Sequence, residues 1–133
     1  MALIESKKVV LKADQQAVYS FVKDLNNLIE LLPQDKVSDW KGGDTNCSFK
    51  VSGGYSLGLE HKSLSEFNQI ILQSSAGSPL KFDLDIQINP SEAGSEAGMV
   101  CNLEANAFVM MMVEKPLRNL FDFIAERLHQ KFG

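Results

Sequence analysis

The sequence is poor in cysteine, in net positive charge and in long apolar runs, and each shortage excludes something. Its two cysteines, Cys47 and Cys101, lie far apart with no C-x-x-C. Together with His61 and His129 they number the four ligands of a structural zinc site, but no pair has finger-like spacing. Buried free thiols in a reducing compartment are the expectation, with no metal and no organic cofactor. Lys and Arg total 13 against 17 Asp and Glu, a net charge of -4, and the only adjacent basic pair is Lys7-Lys8. That balance lacks the footprint of a nucleic-acid binder, so no nucleic-acid partner is expected. The longest apolar run is Ala107 to Val113, whereas a membrane span takes roughly 20 residues. The opening segment, Met1 to Lys8, has no apolar core of signal-peptide length. A cytoplasmic protein without integral membrane association is predicted.

What is present suits one domain over residues 1–133: 44% hydrophobic residues, 23% charged, and eight Phe. Leu3 to Lys12 reads as a strand. Asp14 stands at an N-cap position, and Ala17, Val18, Phe21, Val22 and Leu25 follow at helical spacing. A short second helix over 27–32 ends at Pro33. The period then falls from about 3.6 to 2. Strands are predicted over 37–41, 45–52 (Cys47, Phe49 and Val51 inward), 55–62 (Tyr55, Leu57, Leu59 and His61 inward), 69–75, 80–88 and 99–108. The clearest is Leu80 to Ile88, apolar at every even number and polar at every odd one, as in an antiparallel strand with one wet face. The tandem Ser91-Glu92-Ala93-Gly94 and Ser95-Glu96-Ala97-Gly98 reads as a flexible hairpin tip. Val113, Leu117, Leu120, Phe121, Ile124 and Leu128 form a helical stripe, with Pro116 expected in the first turn and Glu114–Arg118 as an i,i+4 ion pair.

The predicted class is α+β, in the order β-α-α-β6-α. Six strands with short connections should form a meander, with the first strand added at an edge. A seven-stranded antiparallel sheet of this kind curls as twist accumulates, and only the C-terminal helix is long enough to cover its apolar face. The stretch Val9-Val10-Leu11-Lys12-Ala13-Asp14-Gln15-Gln16-Ala17-Val18-Tyr19-Ser20-Phe21-Val22-Lys23-Asp24 resembles the opening of the START-like (SRPBCC) superfamily: a strand, a short helix start and an Asp at the helix end. Asp14 stands where many members have Pro. Leu31-Leu32-Pro33 is similar to the family's short second helix ending in Pro. The resemblance covers almost the whole chain. It implies the helix-grip fold and a cavity between sheet and long helix, where members such as birch-pollen-allergen-like proteins and polyketide cyclases hold apolar molecules; a family of carbon monoxide dehydrogenase components belongs to the same group.

The inward positions that would line such a cavity are Phe49, Tyr55, Leu57, Leu59, His61, Phe82, Leu84, Ile86, Leu103, Ala105, Met110, Leu117, Leu120, Phe121 and Ile124. Of these only His61 and Tyr55 could move a proton. They sit six residues apart on one strand, about 20 Å, too far to share one reacting atom. Asp83, Asp85 and Glu104 fall on the solvent face, which excludes an enclosed carboxylate pair. Met110-Met111-Met112 suits either an adaptable gate at a cavity mouth or a buried junction. Trp40 suits a stacking platform or the rim of the core. Three functions stay open. One is binding of a small hydrophobic ligand (lipid, polyketide or aromatic) without catalysis. The second is a cyclase, aromatase or dehydratase using His61 or Tyr55. The third is an accessory module with a closed cavity. The chain is expected to be a monomer or a weak dimer.

Overall fold

The structure is a computed structural model that describes residues 2–51, 55–75, 80–104 and 106–133, with backbone alone for Ala2 and Tyr55. Two short strands, β1 (Ala2–Glu5) and β2 (Val9–Leu11), lead into α1 (Gln15–Lys23) and a 3-10 helix (Leu25–Leu31). Then come β3 (Val37–Gly42), β4 (Asn46–Val51), β5 (Tyr55–Ser65), β6 (Gln69–Ser74), β7 (Lys81–Ser91), β8 (Gly94–Glu104) and α2 (Ala107–Phe132). The strands form one antiparallel sheet in the order β1-β8-β7-β6-β5-β4-β3, with β2 also paired to β8. This is the expected helix-grip arrangement.

The first strand is not continuous. Residues 6–8 interrupt it, so β1 and β2 share one edge position along β8. The Ser6 amide donates to the Met99 carbonyl (2.9 Å) and the Met99 amide to Ser6 Oγ (3.0 Å), which holds the break against the sheet. The opposite edge, β3, is also irregular. Its register to β4 shifts between Ser38 and Lys41, and Asp39 takes a left-handed φ of 55°.

Alternation in the meander became register. Leu84 stands opposite Cys101, Phe82 opposite Leu103, Ile86 opposite Met99, Leu72 opposite Leu84, and Phe49 opposite Leu57. These residues are all buried in one apolar cluster under α2. Asp14 caps α1 as its position suggested, accepting from the Ala17 amide at 2.9 Å. Asp24 ends that helix and caps the next, accepting from the Asn26 amide at 3.0 Å.

Three expectations fail around the last hairpin and α2. The tandem repeat is not a long flexible tip. Only Glu92 and Ala93 turn, and the second copy lies within β8, with Ser95 and Ala97 fully covered. Ser95 Oγ donates to the Ala13 carbonyl (2.8 Å), and Gly94 has φ 152° with the carbonyl oxygens of Lys12 and Ala13 occupying the space a Cβ would need. The last strand ends at Glu104 rather than Phe108, because Asn106 caps α2 by accepting from the Val109 amide at 2.9 Å. Pro116 therefore lies inside α2, beyond its first turn. The Gly53-Gly54 turn and the Gly77-Ser78-Pro79 strand end fall outside the described residues.

Polar contacts fasten the C-terminal part of α2. Asp122 Oδ1 accepts from the Lys7 amide (2.7 Å) and Glu126 pairs with Lys7 Nζ. Arg127 donates to the Glu30 carbonyl (3.1 and 3.3 Å), and His129 Nδ1 meets the Val10 carbonyl (3.1 Å). The Phe132 carbonyl accepts from the Lys12 and Ala13 amides (2.8 and 3.1 Å).

Candidate functional site

The space between sheet and α2 is lined from four directions. The sheet gives Phe49, Leu57, Leu59, Leu72, Phe82, Leu84, Ile86 and Met99. From α2 come Leu120, Phe121, Ile124 and Leu128, from α1 Phe21 and Val22, and from the 3-10 helix Leu25, Asn27, Leu28 and Leu31. Strand alternation and the α2 stripe put large aliphatic and Phe side chains on both walls, so the space closes. The remaining void is about 30 Å³, room for a water but with almost nothing to bond it, so it stays dry. Among the described residues Asn27 is the only polar side chain on its wall, and its Nδ2 donates to the Phe21 carbonyl at 3.0 Å.

Of the residues singled out from sequence, Phe49, Leu57, Leu59, Phe82, Leu84, Ile86, Leu120, Phe121 and Ile124 are on this wall. Leu103 and Leu117 are buried in the core but do not reach the void. Met110 is half-buried in the first turns of α2 and does not line the void either. The side chain of Tyr55 and all of Ala105 lie outside the described residues. Sequence reasoning missed Phe21, Val22, Leu25, Leu28 and Leu31, whose helical spacing signals ordinary core. It also missed Leu72, Met99 and Leu128.

His61 is not on the void wall. It is half-exposed, and its Nε2 lies 2.8 Å from the Lys23 carbonyl at the end of α1. Its strand also runs on to Ser65, with a register shift just after it, so it is not at the strand's end. The ring thus closes α1 against the sheet. Cys47 and Cys101 are free and buried. Burial pushes both thiols from 9.0 up to about 12, and the Asp83 charge adds to the shift at Cys101. Neither is a nucleophile at neutral pH. Trp40 is half-buried and stacks on Phe49, centroids 6.0 Å apart, which places it at the rim of the core. Among the described residues no group of three or more His, Cys, Asp or Glu is placed to hold a metal.

The methionine run lies in the first turns of α2 and is not a buried junction. Met111 is 81% exposed, Met112 55% and neighbouring Phe108 70%. Further along α2 lies a surface groove of about 530 Å³, between Lys115, Pro116, Asn119, Leu120 and Phe123 on one bank and Pro33, Asp35, Lys36 and Val51 on the other. Leu120 lines both this groove and the buried void.

No protein-family model and no curated protein matches the chain. Solved structures do. A START superfamily protein from Mycobacterium smegmatis is 14% identical over 97% of this chain and 98% of its own, with a TM-score of 0.69. The protein XoxI from Bacillus cereus is 14% identical over 99% and 96%, with a TM-score of 0.75. The KanY protein is 16% identical over 98% of both chains, with a TM-score of 0.76. At these identities the likeness establishes architecture alone: the chain has the START-like helix-grip fold. Among the described residues no helix is long and apolar enough to cross a membrane.

Proposed function

We propose that the protein binds a small hydrophobic molecule between the sheet and α2, without catalysis. The observation that carries this reading is the wall of the interior space, which among the described residues is apolar except for Asn27, and which shares Leu120 with a groove of ligand size. A void of 30 Å³ is an order of magnitude below a working pocket, so the ligand enters by displacing Leu120 and its neighbours on α2. The wall's described side chains include no titratable group, and His61 is committed to a backbone carbonyl; this favours binding over cyclase-like proton transfer. Two buried free thiols support a reducing compartment, and we assign the protein to the cytoplasm.

The test is titration with N-phenyl-1-naphthylamine, a neutral apolar fluorophore. A blue-shifted, saturable signal at one site per chain is expected, with a rise in melting temperature. Leu57→Phe, which fills the void, should weaken binding at least tenfold while the circular dichroism spectrum is kept. An unchanged spectrum and melting temperature at saturating probe overturn the reading. That result would favour the second reading, an interaction module with a closed interior, for which the exposure of Phe108, Met111 and Met112 speaks.

A further inference from the structure

We propose that the groove beside α2 is the mouth of the interior site and that the ligand it selects is amphipathic, an apolar body carrying one anionic group. This rests on the hydrophobic-ligand reading above and adds to it the chemical class of the ligand and its direction of entry.

The two spaces differ in chemistry. Among the described residues Asn27 is the interior's one polar side chain, so those residues offer an ionised group buried there no charge to pair with. Any charge on the ligand must stay outside. Outside, the groove sets Lys36 on one bank and Lys115 on the other. Among the described residues neither ammonium takes part in an ion pair; the lysines that do are Lys7, Lys62 and Lys131. Among the described residues the one carboxylate on the groove is Asp35, so its described lining carries two positive charges against one negative. That is the reverse of the chain as a whole, whose net charge is -4. The groove thus offers an anion a local excess of positive charge on a chain of net negative charge.

Leu120 joins the two halves. It borders the void and the groove alike, so the proposed path inward runs past its side chain. Val51 and Phe123 give the groove an apolar floor on which the body of a ligand can lie before it passes inward. The anionic group then rests between Lys36 and Lys115 while the apolar body occupies the space under α2. Exposed ion pairs of this kind shift affinity by a few-fold each, which sets the size of the effect sought.

The experiment compares three twelve-carbon ligands on the full chain, each below its micelle concentration, by displacement of N-phenyl-1-naphthylamine. Dodecanoate should bind at least fivefold more tightly than dodecan-1-ol, and dodecylammonium more weakly than either. The preference should shrink as salt is raised from about 50 to about 500 mM. The double variant Lys36→Gln, Lys115→Gln should erase it, bringing dodecanoate to the affinity of dodecan-1-ol measured on the same variant. Leu120→Ala should speed association of dodecanoate and dodecan-1-ol alike by at least threefold. Equal affinity for the acid and the alcohol overturns the anionic assignment and leaves the hydrophobic-ligand reading standing. A preference for dodecanoate that survives the double lysine change places the mouth elsewhere and also overturns it. Unaltered association rates in Leu120→Ala overturn the entry path. Failure of all three ligands to displace the probe from a site that still binds it shows that the mouth admits no alkyl chain, which overturns the proposal. Absence of any probe site sinks the hydrophobic-ligand reading itself.

Discussion

Gly94 does at one position what no other residue type can do there. With φ 152° and two backbone carbonyl oxygens where a Cβ would stand, it lets the turn after β7 pass close to the Lys12–Ala13 segment. Gly94→Ala should destabilise the fold by about 1–3 kcal/mol, read as a lower urea midpoint, since a Cβ would meet both backbone strain and a clash. The neighbouring Ser95 is fully buried with its hydroxyl on the Ala13 carbonyl, so the same spot carries a second, polar constraint. None of this was legible in the repeat itself. Two copies of Ser-Glu-Ala-Gly look alike, and only the long-range contact with Lys12 and Ala13 makes one a turn and the other a strand. By contrast the capping role of Asp14 was legible, because capping is local: the side chain reaches an amide three residues on.

At the scale of elements, the strands were legible wherever one face is wet and the other dry, as in β7, where period-2 alternation directly encodes the register. The start of α2 was hidden for a physical reason. Ala105 and Ala107 prolong the period of Cys101 and Leu103, so a strand pattern runs on into helical residues. The signal that stops it is Asn106, whose side chain caps the helix and does not point outward from a strand. Moving the start upstream left Pro116 in the helix interior, where proline cannot donate the usual amide bond. Pro116→Ala should therefore stabilise the protein by about 1–2 kcal/mol, less than the full helix penalty of about 3 because the loss of proline also loosens the unfolded chain. Thermal unfolding would show it as a higher melting temperature. The candidate site was half legible: strand and α2 positions followed from periodicity, but the wall contributed by α1 and the 3-10 helix depends on how those pieces fold back over the sheet.

For the whole molecule, the buried thiols set a limit on the alkaline side. Cys47 and Cys101 stay protonated in the fold up to about 12, whereas a free thiol ionises from 9.0. The unfolded chain thus releases these protons first, so their contribution is intact below pH 9 and is lost as pH rises toward 12. Urea midpoints measured across that window should fall less steeply in the double variant Cys47→Ala, Cys101→Ala than in the parent. The sheet that holds these thiols also has two damaged margins. One is split at residues 6–8 and carries Lys7 and Lys8 at the split; the other slips register at Asp39. A neighbouring chain seeking a straight row of free amides and carbonyls finds none of useful length on either side. The fold is in that sense closed to its own kind: crowding many copies together gives them no backbone template along which to polymerise.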